Sequence, residues 1–148
     1  LAGAVVLVAT ASAVSCGGGG NGTNRLTLTD DSCAYEGDQT PSATKAFEAE
    51  VANKSSKLGA FEIAKIDPGH TFDEVKSYVK SEQQRIANGR VIVGPPIWMT
   101  LGERAQIESG ATGKLVSRVT AGTWVLWCSQ EHPPTKIFLI EPALEMSD

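Results

Sequence analysis

Three cysteines, two histidines and a few well-placed carboxylates hold most of the chemistry available to this 148-residue chain. In the stretch "GTWVLWCSQEH", Cys128 and His132 stand at a C-x-x-x-H spacing that suits two ligands of one copper or iron ion. The same thiol can instead close a disulfide or fill a core as a small apolar group. Glu62 and Glu131 fall near the same end of their strands. They read either as oxygen ligands joining Cys128, His132 and Cys33, or as charges facing solvent. Trp98 and Met99, in "GPPIWM", form an apolar recognition patch if exposed and pin a neighbouring element if packed. His70 reads as a solvated loop residue just before a helix. No Ser-His-Asp set, paired-carboxylate signature or metalloprotease helix is present, and two histidines leave little for acid–base work. The chain reads as a non-enzyme.

The totals narrow the field further. The length suits one domain. A formal net charge of -4 argues against a nucleic-acid groove, which needs a basic face to neutralise phosphates. Hydrophobic residues at 41% and charged residues at 20% are ordinary for a folded domain and not for a disordered one.

The N-terminal run from Leu1 to Val14 is apolar, uncharged and too short to cross ~30 Å of hydrocarbon as a helix. It suits the apolar core of a secretory signal, here over residues 1–15, whose start is expected upstream because no basic region or initiator Met precedes it. The run ends "AVSC" and continues "GGGGNG". This resembles the lipobox of bacterial lipoproteins, with cleavage at Ser15–Cys16 and lipid on Cys16, although Ala13 stands where that motif prefers a large aliphatic residue. An ordinary signal cleaved near "ATASA" is the other reading. The glycine run lacks a preceding strand, a Lys and a following helix, so it is a tether over 16–25 and not a phosphate loop. The expected location is the outer face of a bacterial membrane, with the membrane as a partner through the lipid.

The folded domain is expected over residues 26–148. "RLTLTD" places Leu26 and Leu28 on one face, and "TKAFEAEVANKS" turns Phe47, Ala49 and Val51 inward. "LGAFEIAKI" gives Phe61 and Ile63 a shared face. The period then changes. Thr71 and Glu74 form a capping box, Phe72, Val75, Val79 and Ile86 follow at helical spacing, and Asn88-Gly89 stops the element. One helix is predicted over about 71–88. "RVIVGPPIWM" is too rich in proline for a central strand. "ERAQI", "KLVSRV", "TWVLWC" and "KIFLIEP" then read as strands, the first three separated by "ESGATG" and "TAG". In "TWVLWC", Trp124, Leu126 and Cys128 share one face and Val125 and Trp127 the other. About seven short strands with turn signals between them predict an all-β sandwich.

Two segments carry a family resemblance. "ERAQIESGATGKLVSRVTAGTWVLWC" is laid out as a strand, a Gly-containing turn, a long strand, then G-x-[aromatic]-x-x-x-C. "LTLTDDSCAYEGDQTPSATKAFEAEVANKSSKLGAFEIAKI" places a cysteine after the first strand and then a strand of the form x-[FW]-E-[IV]. Together, over about 26–141, they resemble bacterial cupredoxin-like domains. The likeness is nearest to the cupredoxin domain of periplasmic iron-uptake proteins and to secreted plastocyanin-like proteins with a helical insertion before "GPP". The resemblance implies a Greek-key β-sandwich with one inserted α-helix. It also implies a place for type 1 copper, with Cys128 and His132 as two of its ligands. The family's first His falls at Gly59 or Ala60, neither of which can ligate, and no Met follows His132 in the ligand loop. The copper site is therefore expected to be incomplete and the chain to hold no cofactor. The alternative is a copper or iron site built on Cys128 and His132, with Cys33 or Glu62 completing it. With Cys16 lipidated, Cys33 and Cys128 are left as an even pair in an oxidising compartment, placed as the iron-uptake group's cysteines are, and a disulfide between them is expected. The function expected is that of a binding or structural module for an unidentified protein or small ligand.

Overall fold

The computed structural model describes residues 22–131 and 134–148. Nine strands and one helix follow in order: β1 (Asn24–Leu28), β2 (Cys33–Glu36), β3 (Phe47–Asn53), β4 (Gly59–Ile66), α1 (Phe72–Ala87), β5 (Met99–Ile107), β6 (Thr112–Ser117), β7 (Gly122–Gln130), β8 (Lys136–Leu139) and β9 (Leu144–Met146). The first sheet has the order β2-β1-β3-β6, with β1 parallel to β3. The second has the order β5-β4-β7-β8, and β9 pairs with the first residues of β7. The chain changes sheets between β3 and β4, β5 and β6, and β6 and β7. The two facing sheets and the single helix inserted between β4 and β5 make the β-sandwich with one inserted helix that the sequence led us to expect.

Alternation decides which side chains meet between the sheets. Along β3, Phe47, Ala49 and Val51 are buried while Glu48 and Glu50 are exposed, as strand periodicity requires. They pack with Leu26, Leu28 and Leu115 of their own sheet against Phe61, Ile63, Trp124, Leu126 and Cys128 of the other. Trp124 satisfies its indole by donating from Nε1 to the Thr120 carbonyl at 2.8 Å.

A second apolar cluster lies on the opposite face of the second sheet, where Ala64, Ile66, Met99 and Val125 pack against Val75 and Val79 of α1. The molecule therefore has three layers: sheet, sheet and helix. β4 and β7 are covered on both faces, and their sequences, "FEIAKI" and "TWVLWC", accordingly run almost continuously apolar instead of alternating cleanly.

The helix forms where its caps are. Thr71 has extended backbone, its Oγ1 accepts from Glu74 N at 3.3 Å, and Glu74 Oε2 accepts from Thr71 N at 2.6 Å. At the other end Gly89 takes φ +68°, a left-handed conformation that lets Gly89 N reach the Ile86 carbonyl at 3.0 Å and Arg90 N reach that of Arg85 at 2.8 Å. Two details of the expected apolar stripe differ. Phe72 and Ile86 are only half-buried, and the buried residue after Val79 is Glu82. A carboxylate tolerates that place because Val93 N donates to its two oxygens at 2.9 and 3.1 Å and Gly94 N reaches it at 3.4 Å. Glu82 thereby fastens the non-strand segment 90–98 against the helix.

Three further expectations are corrected by the strand pairing. The turn-rich stretch after β1 contains β2, and the C-terminal residues add β9. Among the described residues β1 starts at Asn24, two residues ahead of residue 26, where the first strand was expected to start.

Candidate functional site

Two places have to be weighed: the pole that carries the cysteines, and the space beneath α1.

Cys33 opens β2 and Cys128 lies in β7, so the pair connects the two sheets. Their Cα atoms are 6.0 Å apart, within the range a disulfide spans, and the two are bonded. Cys128 is fully buried among the residues between the sheets. Of the two positions where the resemblance places a first His, Ala60 faces the other side of the sheet from Cys128 and Gly59 has no room for a side chain. A Cβ on Gly59 would lie 2.8 Å from Leu28 Cδ2 and 2.9 Å from Asn53 Nδ2. Asn53 is buried and fully engaged: Nδ2 donates to the carbonyls of Lys57 and Ile107, each at 2.8 Å, and Oδ1 accepts from Ser55 N at 3.0 Å and Ser55 Oγ at 2.6 Å. Beside it, Asp30 Oδ1 accepts from Ser56 N at 2.9 Å, Ser56 Oγ at 2.8 Å and Gln130 Nε2 at 2.7 Å. These bonds, led by that from Ser56 N, hold the Asp30 carboxyl below its ordinary value. The pole is thus a crosslinked polar network with its strand position for a first ligand sterically filled.

The ligands expected for a metal at Cys128 do not assemble there. Glu62 projects from the other face of the second sheet, since it alternates with Phe61 and Ile63, which face the sandwich core with Cys128. Cys33 is consumed by the disulfide. Met146 pairs with Gly122 at the far end of β7, about 20 Å along the strand from Cys128. His70 stacks on Trp98 with ring centroids 4.6 Å apart, and its Nδ1 lies 3.3 Å from Glu74 Oε1. His132 and Cys16 lie outside the described residues. Among the described residues no group of three or more His, Cys, Asp or Glu side chains is placed to hold a metal ion.

Of the two readings of Trp98 and Met99, the packing fits the one in which they pin a neighbouring element. Met99 is buried in the cluster beneath the helix and Trp98 packs against that cluster, so the pair pins the insertion to the sandwich. The exposed apolar side chains of this region are Val91, Val93 and Ile97.

Beneath α1 lies a pocket of about 250 Å³. Val75, Val79, Met99 and Ile137 form its apolar wall, with Trp127 at the sheet. Its polar side comes from strand register. Arg104 of β5, Glu62 of β4 and Trp127 of β7 are direct cross-strand neighbours, so the three side chains stand in a row on one face. Glu131, just past β7, completes the group. Arg104 Nε lies 3.1 Å from Glu62 Oε1, and its Nη2 bonds Glu131 Oε1, which also accepts from Ser129 Oγ at 3.0 Å. The Glu131 side chain is only 7% exposed. Both carboxylates expected near the cysteine pole therefore meet, but around a guanidinium and on the opposite side of the sheet from Cys128.

Burial is the leading influence on Glu62 and Tyr78. It raises the Glu62 carboxyl above its ordinary value, against the opposing pull of Arg104 and a Trp127 hydrogen bond. The Tyr78 hydroxyl, also lining the pocket, is pushed up to about 12 by burial and then by the charges of Glu82 and Glu62.

The direction of the Glu62 shift yields a test. A carboxyl raised by folding holds its proton more tightly folded than unfolded. Its stabilising contribution is complete below the unfolded value near 4.5 and is lost as pH rises through the higher folded value. Glu62→Gln cannot ionise, so its melting temperature should gain on wild type as pH rises from 4 toward neutral. A difference that is flat with pH, or that runs the other way, would mean Glu62 is not desolvated.

Glu62 was not legible as part of a pocket because a charge alternating with Phe61 and Ile63 reads as facing solvent. The usable signal was in its neighbours: Ala60, Ala64 and Ile66 on the same face of β4, and Val125 on that face of β7, are all buried, which requires something to cover that face.

No protein-family model and no curated protein matches the chain. Among solved structures, it is similar to auracyanin B at 17% identity, with a TM-score of 0.42 over 72% of this chain and 76% of that one. It is similar also to sodium-dithionite-reduced auracyanin from the photosynthetic bacterium Roseiflexus castenholzii, at 14% identity and a TM-score of 0.41, over 80% of this chain and 95% of that one.

Proposed function

We propose that this protein is a non-catalytic binding module of the bacterial cell surface, which takes a small ligand in the pocket beneath α1 and is held to the outer face of the membrane by lipid on Cys16. The pocket is the observation that carries the reading. It pairs a mostly apolar wall with a few convergent polar groups, the composition of small-molecule sites. Its carboxylates favour binding over catalysis, because Glu62 and Glu131 are both engaged by Arg104. Anchoring is supported by the apolar run ending in "AVSC".

One preparation tests both parts. Wild type and Cys16→Ser are expressed in a bacterial host and fractionated, and the purified domain is equilibrated with a small-molecule extract of that host, washed and denatured. Wild type should fractionate with membrane and the Ser variant should be released. The domain should yield a bound small molecule that Ile92→Trp, which adds bulk at the pocket wall, does not retain. A Ser variant that stays with membrane removes the anchor. Equal recovery from wild type and Ile92→Trp removes the pocket as the binding site.

A further inference from the structure

The pocket's charge is unbalanced. Among the described residues lining it are three carboxylates, Glu62, Glu82 and Glu131, and one cation, Arg104. Arg104 is shared between Glu62 and Glu131, so one guanidinium answers two carboxylates. Glu82 is bonded by the backbone N–H groups of Val93 and Gly94, which solvate its charge without cancelling it. Negative charge held against apolar walls is costly, and the cost falls when a positive group enters. The raised hydroxyl of Tyr78, driven partly by Glu82 and Glu62, records the same negative potential.

We infer that the pocket beneath α1 receives a small organic cation, an ammonium group carried on a compact apolar body, with the ammonium at Glu62 beside Trp127 and the body against Val75, Val79 and Met99. This rests on the pocket being the binding site proposed above. Three observations select that class. A metal ion lacks a donor cluster, since among the described residues no group of His, Cys, Asp or Glu side chains is placed to hold one. An anion would face the surplus carboxylates. Trp127 lies directly across from Glu62 in the register of β4 and β7, so one pocket wall supplies an aromatic flank beside the carboxylate whose charge draws the ammonium. The volume, about 250 Å³, falls at the small end of ligand sites and limits the body to roughly one ring or a short branched chain.

The probes are benzylammonium, benzyl alcohol and benzoate, close in size and differing in charge. Each is titrated into the oxidised protein at 0.15 M salt while the three tryptophan indole N–H resonances are followed by NMR. Trp124, whose indole is bonded inside the sandwich, serves as the internal reference. The expected result is a saturable shift of Trp127 with benzylammonium, an unmoved Trp124, and an affinity at least about tenfold above that of benzyl alcohol. Glu62→Gln should erase most of that preference for benzylammonium over benzyl alcohol. Equal affinity for amine and alcohol, or tighter binding of benzoate, overturns the cation assignment and leaves the pocket as a binding site. A preference for the amine that survives Glu62→Gln overturns the assignment to Glu62. No saturable Trp127 shift with any of the three overturns both this inference and the pocket reading beneath it.

Discussion

Reducing the Cys33–Cys128 bridge should lower the domain's stability by about 2–5 kcal/mol and its melting temperature by on the order of 10 °C. The bond joins positions 95 apart in sequence, so in the unfolded chain it closes a loop of most of the domain. Chain-entropy reasoning assigns about 4–5 kcal/mol to a loop of that size, an upper figure that real bridges often miss. Even the lower bound is a large share of the roughly 5–15 kcal/mol that holds a domain folded. In the folded state the bond also ties β2 in the first sheet to β7 in the second, across the cluster that contains Leu28 and Phe61. Thermal melts with and without reductant, repeated on a Cys33→Ala/Cys128→Ala double variant, give the measurement. Melts that superimpose would mean the cysteines are not paired in solution.

Val79→Asp should cost about 2–4 kcal/mol. Val79 is 6% exposed and packs in the cluster that joins α1 to the second sheet. A carboxylate there meets Val75 and the sheet's apolar face. It also stands one helical turn before the buried Glu82, a like charge at i, i+3. Of the three basic side chains of α1, Lys76 pairs with Glu141, Arg85 donates to the Val91 carbonyl, and Lys80 stands on the exposed side of the helix. Urea denaturation should show a lower midpoint than wild type. An unchanged midpoint would mean that α1 contributes nothing to the domain's stability.

What could be read from the sequence was what local chemistry decides. The capping box at Thr71 and Glu74 and the stop at Gly89 involve neighbours within one turn, so the helix and its ends were legible. The faces of "TWVLWC" followed from period-2 alternation, and Trp124 and Trp127 point to opposite sides as that requires. The short β2 and β9, of four and three residues, exist because β1 and β7 offer them partners; the residues on either side of them carry turn signals. The grouping of Arg104, Glu62 and Trp127 depends on register across three strands separated by up to 65 residues, which no local pattern encodes. Glu82 is the clearest case of tertiary override: a charged residue occupies the apolar stripe because a segment eleven residues later supplies its hydrogen bonds.

The Cys33–Cys128 bond makes the cysteine pole a structural crosslink, and the pocket proposed to bind ligand lies on the opposite face of the second sheet. Copper in a site of this kind binds the deprotonated Cys128 sulfur, and a disulfide sulfur offers no such charge. A Cβ at Gly59 has no room beside Leu28 and Asn53, and Met146 stands at the far end of β7. The direct measurement is a Cu(II) titration of the purified, oxidised protein followed by visible absorption. The account predicts no intense blue thiolate-to-copper band at any copper ratio. A strong blue band that Cys128→Ser abolishes would contradict it.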